Sequence, residues 1–217
     1  MNLANQINAG DTAWVLVSAA LVLLMTPALG LFYGGMVRRK NVLSILMQCV
    51  FCLALISVLW GIYGYSLAFS KGNWLFGGFD WLMLKGVGGE ANPDYAPTIP
   101  HGAFMIFQCM FAVITPAIIV GSYAERVKFS AFVLFTVLWL TLVYCPMAHM
   151  AWAVDGLFRS WGILDFAGGT VVEINCGVAG LVTALFVGRR LSVLHPSLHN
   201  IPMLVMGASL LWFGWIG

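Results

Sequence analysis

Asp165 and Glu173 are the residues whose types and spacing first suggest chemistry. They stand eight residues apart in Asp165-Phe-Ala-Gly-Gly-Thr-Val-Val-Glu173-Ile-Asn-Cys-Gly-Val-Ala-Gly-Leu181, an otherwise apolar stretch. A helix rises about 1.5 Å per residue, so Glu173 lies about 12 Å beyond Asp165 along the axis. If the stretch crosses a bilayer, Glu173 comes near mid-membrane. An ionisable group there costs about 2.5–3.5 kcal/mol and is kept facing a bundle interior or a wet path. Gly169, Gly177 and Gly180 fall on about the same face, and small residues let another helix approach closely. Glu173 is therefore expected to point into the protein, either as a pore or proton-relay carboxylate or as a neutral, hydrogen-bonded structural group. Asp165, at the outer end, suits a helix cap: its side chain can accept from free N–H groups and complement the positive end of the helix dipole.

Aromatic rings are the second resource. Phe107 and Phe111 are four apart, so their rings share one helix face. Near an outer surface such rings can hold a desolvated cation by cation–π attraction, worth about 0.5–2 kcal/mol, although the spacing equally suits ordinary packing. Trp152 falls at the same outer level, where a tryptophan also suits the membrane interface belt. Cys49-x-x-Cys52 has redox spacing, but Cys49, Cys52, Cys109, Cys145 and Cys176 all lie in apolar runs, where cysteine behaves as a small hydrophobe. His195 and His199 have a metal-like spacing interrupted by Pro196, which disfavours a site. No metal and no cofactor are expected. His149 is assigned a packing or hydrogen-bonding role.

The elements that must position these groups follow from composition. Of 217 residues, 61% are hydrophobic and 8% charged, with a mean hydropathy of +0.95. Soluble domains carry about 25% charged residues, so a water-soluble enzyme and a nucleic-acid-binding module are excluded. A net charge of +2 is too small to imply an acidic partner. The first ten residues have no basic segment and no apolar core of a signal peptide. Six apolar stretches are legible: Ala13–Met36, Val42–Phe69, Ala103–Tyr123, Phe129–Met150, Phe166–Val187 and Ile201–Gly217. About 20 residues cross the hydrocarbon core. The sixth stretch stops about three short at the chain's end, which reads as part of something longer. The chain is thus expected to form an all-α integral membrane bundle, 1–217, in a single membrane domain. Pro27, Pro116 and Pro146 fall inside spans; each removes a backbone hydrogen bond and is expected to be covered by neighbouring helices.

Arg38, Arg39, Lys40, Arg126, Lys128, Arg189 and Arg190 lie in the odd-numbered connections, against Lys71, Lys85 and Arg159 opposite. The positive-inside rule then places the N-terminus outside. The longest connection, about 70–100, is on the outer side; its Trp74-Leu-Phe-Gly-Gly-Phe-Asp-Trp81 run suits a loop folded at the membrane interface. No sequence repeat is apparent.

Together these residues resemble the ammonium transporter / methylammonium permease / Rhesus family. The resemblance rests on Pro27-Ala-Leu-Gly-Leu-Phe-Tyr-Gly-Gly35 with Arg38-Arg-Lys-Asn41, on Phe107-Gln108 and Phe111, and on Ala124-Glu-Arg126. It continues through Tyr144-Cys-Pro-Met-Ala-His-Met-Ala-Trp152, Asp165-Phe-Ala-Gly-Gly-Thr-Val-Val, and Leu210-Leu-Trp-Phe-Gly-Trp-Ile-Gly217. It implies an eleven-span, inverted-repeat fold assembled as a homotrimer with one pore per subunit, of which this chain supplies about six spans. By position, Phe107, Phe111 and Trp152 resemble the aromatic cage that recruits ammonium. Phe111 also resembles one leaf of the gate below the cage, and Asp165 the acid behind it. Most members carry histidine where this chain has Glu173, so the proton chemistry differs: a carboxylate can accept a proton from ammonium directly.

The resemblance implies ammonium transport, with ammonia crossing an apolar conduit and the proton moving by a relay. Desolvating a full charge costs far more than desolvating a neutral molecule. The alternative is an ammonium sensor signalling through a fused cytoplasmic domain, for which the sequence after the last span is the discriminator. No nucleophile–base pair or metal cluster supports an enzyme. The implied partners are ammonium or ammonia, membrane lipid, sister subunits and a PII-like cytoplasmic regulator or fused signalling domain. The implied location is the cell inner or plasma membrane.

Overall fold

A computed structural model describes residues 7–189 and 199–217; Arg190 and His195 lie outside the described residues. The first long helix, α1, is Ala9–Met36, started by the Asn8 side chain, which accepts from the amides of Gly10 and Asp11. The second span begins as α2 (Val42–Leu59), passes through a π turn (Trp60–Gly64) and finishes as α3 (Tyr65–Phe69). The connection after α3 follows. It is loop built around a short antiparallel ribbon, β1 (Ala91–Asn92) with β2 (Ala96–Pro100). The third span is α4, His101–Tyr123. The fourth is α5 (Phe129–Trp139), a π turn (Leu140–Tyr144) and α6 (Cys145–Trp152), followed by the short α7 (Leu157–Ser160). The fifth starts as a π turn (Gly169–Ile174) and continues as α8 (Asn175–Val187). The shorter apolar α9 spans Ile201–Trp215.

Five of these helical segments are long and apolar enough to cross a membrane, as the composition requires. The expected all-α bundle is present, with the ribbon as the departure from it. β1 and β2 sit in the connection between α3 and α4, where Pro97 and Pro100 disfavour helix and the apolar length needed for a span is absent.

Three packing relationships hold the frame. α1 lies along α9, where no side chain fits between the backbones: a Cβ on Gly207 would sit 2.7 Å from the Ala28 carbonyl, and one on Gly35 would sit 2.7 Å from Leu204 Cβ. α4 runs through the middle, with Ala112, Val113, Ala117 and Val120 fully buried and with Pro116 buried among them. The second and fourth spans share one pattern. Cys52, Ile56, Trp60 and Gly64–Ser66 are buried in the former, and Phe132, Thr136, Leu140 and Tyr144–Pro146 in the latter. Each carries its π turn at the same point of that pattern. An extra residue in a turn rotates the following helix, and both following segments, α3 and α6, pack in the same buried layer. Pro146 is the second residue of α6, separated from the π turn by Cys145, and is buried. Pro27 is half-buried within a continuous α1.

On the opposite side Glu125 closes the connection between α4 and α5. Its Oε1 accepts from the Arg38 amide (3.1 Å), Arg38 Nε (3.2 Å) and Asn41 Nδ2 (2.5 Å). The Arg126 guanidinium donates to the Ser122 and Gly188 carbonyls, tying α4 to the end of α8.

Candidate functional site

The aromatic residues singled out in the sequence meet. Phe107 and Phe111 project from α4 with ring centroids 5.0 Å apart and planes at 86°. The Trp152 ring, at the end of α6, stands 6.3 Å from Phe111 at 66°. Phe107, Phe111 and Trp152 are each half-buried, so the rings reach the surface and remain accessible from it. Edge-to-face pairing covers a face of only one ring in each pair, and a ring face is the part that attracts a cation.

Trp152 is held by contacts invisible in the sequence. Its Nε1–H donates to the Asp165 backbone carbonyl (2.8 Å), and its ring lies against Phe69 of α3, centroids 6.2 Å apart and planes at 11°. Its own carbonyl accepts from Arg159 Nη1 (2.5 Å). Phe69 is 1% exposed. Sequence spacing offers no route to Phe69, because it is a neighbour of Trp152 only through the packing of two π-kinked spans.

Asp165 has the geometry of a cap. One carboxylate oxygen accepts from the Gly168 amide (2.6 Å), the other from the amides of Thr170 (2.8 Å) and Val171 (3.1 Å). Gly168 adopts φ +97°, a left-handed conformation that glycine takes without cost. It folds the chain back so that all three N–H groups converge. These are the amides left without intrahelical partners at a helix start. The carboxylate thus faces the helix, while its backbone carbonyl faces Trp152.

Glu173 sits in the π turn that opens the fifth span, a local distortion common at functional sites. The expectation that it points into the protein is not met within this chain: Glu173 is exposed. Nor do its neighbouring glycines form a packed seam. Gly169 and Gly177 face open space, and Gly180 alone meets another helix, at Ser122 of α4. The buried side of the segment is Val171, Val172, Asn175 and Cys176, the face turned toward α4 and α6. Small residues therefore mark an uncovered surface here. Ile174, Val178, Leu181 and Val182 share that surface and are exposed.

The remaining candidates fall into place as structure. His149 is fully buried, its ring nitrogens 3.1 Å from the Ala68 carbonyl and 2.7 Å from the Asn73 carbonyl, and it clasps α3 and the loop after it to α6. All five cysteines are buried and unbridged. Among the described residues no three metal-binding side chains cluster; His199 is described, whereas its spacing partner His195 is not.

The chain thus forms an apolar helical bundle with a half-buried carboxylate cap beside a cluster of three aromatic rings, and comparison with known proteins places it in a family. Residues 13–217 match the Ammonium Transporter Family. The chain is 52% identical over 208 residues to an ammonium transporter of Bacillus subtilis, covering 96% of this chain and 51% of that one. In structure it is similar to Candida albicans Mep2, with a TM-score of 0.87 and 34% identity over 99% of this chain and 48% of that one. It is also similar to a protein described as Sensor Amt Protein, with a TM-score of 0.85 and 28% identity over 94% of this chain and 52% of that one. The chain belongs to the ammonium transporter family. It spans about half the length of the relatives it matches.

Proposed function

We infer that this chain carries the outer ammonium-recruiting site and part of the conducting path of an ammonium transporter. The observation that supports this most is the meeting of Phe107, Phe111 and Trp152 from two different spans directly above the Asp165-capped start of the segment bearing Glu173. Ammonium is held against the faces of the three rings, with Phe111 also forming the upper leaf of a gate. Asp165 keeps the site's architecture: it fixes the first turn of the fifth span and presents the carbonyl that orients Trp152. Glu173, beyond the gate, accepts the proton and passes it on, so that ammonia crosses the apolar path without the cost of desolvating a charge.

The exposed face bearing Glu173, Gly177 and Leu181 is the surface that the remainder of an eleven-span protein covers. There Glu173 acquires the interior setting that a membrane carboxyl requires. The same reading places the N-terminus outside, the protein in the cell or inner membrane, and the assembly as a homotrimer.

The test is the half-saturating ammonium concentration of the intact protein in proteoliposomes, compared with Trp152→Leu. A rise in the variant supports the site; an unchanged value contradicts it. The likeness to a protein described as a sensor supports a second reading, in which the same site detects ammonium. A wild type that binds ammonium yet gives no ammonium-evoked flux would favour that reading.

A further inference from the structure

Tyr95 sits in the turn between β1 and β2. Its hydroxyl donates to the Phe69 carbonyl (2.8 Å) and accepts from the Val154 amide (3.2 Å). Its ring meets Phe69 edge-on at 5.3 Å and 87°, and stacks on Phe104 of α4 at 5.7 Å and 20°. Phe69 is the residue whose ring lies against Trp152, and Val154 is two residues beyond Trp152 in the chain. One phenol therefore ties the end of α3, the ribbon and the chain leaving α6 to one another, and it contacts two neighbours of Trp152: Phe69, which stacks on the ring, and Val154, two residues on in the chain.

A hydroxyl is suited to this place because it donates and accepts at once. Burial raises the Tyr95 pKa above its ordinary value, and Asp155 and Asp94 push the same way against the lowering effects of the Val154 amide and Arg159. The group thus stays a neutral phenol, and its donor to Phe69 is kept, throughout the neutral range. A ring that binds a cation by its face must be held to within a fraction of an ångström by the groups behind it. No other side chain touches both the Phe69 backbone and the Val154 backbone among the described hydrogen bonds.

We propose that Tyr95 is a positioning residue of the outer cation site, holding the Trp152 ring in register with Phe107 and Phe111 through Phe69 and Val154. The proposal rests on the reading of those three rings as the ammonium site. The experiment measures ammonium-evoked flux against concentration for the intact protein in proteoliposomes, as wild type, Tyr95→Phe, Trp152→Leu and the double variant. Tyr95→Phe keeps every ring contact and removes only the hydroxyl. It should raise the half-saturating concentration about two- to tenfold, part of a cation–π contact, while maximal flux stays within about twofold. In the Trp152→Leu background it should add nothing, because both changes act through one ring.

An unchanged half-saturation in Tyr95→Phe, or an equal rise in the Trp152→Leu background, overturns the proposal. If Tyr95→Phe is not recovered as a folded protein, Phe69→Leu, which removes the stacked ring and leaves the carbonyl, is judged by the same two outcomes. Trp152→Leu separates the failures. No effect there defeats the reading of the site itself, whereas an effect there without one in Tyr95→Phe defeats the positioning role alone.

Discussion

The backbone carbonyl of Asp165 accepts the indole N–H of Trp152 across 2.8 Å, while the carboxylate of the same residue gathers three amides of the following turn. Asp165 is thereby joined to Trp152 by its main chain and to the fifth span by its side chain. Asp165→Ala leaves all three amides without their acceptor and frees the turn that aims the carbonyl at Trp152. Loss of a capping side chain costs about 0.5–2 kcal/mol. Asp165→Asn keeps one acceptor oxygen and should fall between wild type and Ala in both thermal stability and flux. Were Asn as inactive as Ala in an equally stable protein, the charge and not the cap would be what matters.

Trp152→Leu removes the third ring of the proposed ammonium site and keeps an apolar side chain. The loss expected is about 0.5–2 kcal/mol of cation binding, or roughly a two- to thirtyfold rise in half-saturating ammonium concentration. Titrating ammonium-evoked flux checks it.

The seam between α1 and α9 should tolerate no added side chain. A Cβ on Gly207 would come within 2.7 Å of the Ala28 carbonyl, so Gly207→Leu must push the two helices apart. Overpacking of this kind costs about 1–3 kcal/mol. A lowered midpoint of thermal unfolding in detergent is the expected result, with Gly180→Ala, where a Cβ would lie 3.6 Å from Ser122 Cβ, as the mild comparison.

Much of this architecture is legible in the sequence. Apolar runs of about 20 residues can do little but cross a membrane, so hydropathy marks the spans to within a few residues: Phe129–Met150 against Phe129–Trp152, for example. The meeting of the three rings is legible only in part. Phe107 and Phe111 share a face by helical spacing alone, whereas Trp152 reaches them through tertiary packing. Three features are not foreseen. A π turn needs one extra residue in a turn and leaves hydrophobicity unchanged. A signal is nevertheless present: Val58-Leu-Trp60 with Tyr65, and Val137-Leu-Trp139 with Tyr144, place an aromatic pair five apart in both kinked spans, a spacing that matches a π turn better than an α turn. The outer ribbon is too short to register as a period-two pattern. The exposure of Glu173 follows from which face of α8 meets α4, and glycines at three- and four-residue spacing suit an open face as well as a packed one.

If Glu173 moves a proton while the rings above it collect ammonium, the current must depend on a titratable group at that position. Ammonium-evoked current against pH, in proteoliposomes carrying the intact protein, is the measurement that decides this. Glu173→Gln keeps the shape and removes the proton acceptor. The expected result is a folded protein of unchanged assembly with its coupled current lost. Glu173→His should regain current with a different pH profile, because an imidazole titrates near neutrality. Superimposable current–pH profiles for wild type and Glu173→Gln would contradict the relay, since a side chain that cannot take up a proton would then serve as well as one that can.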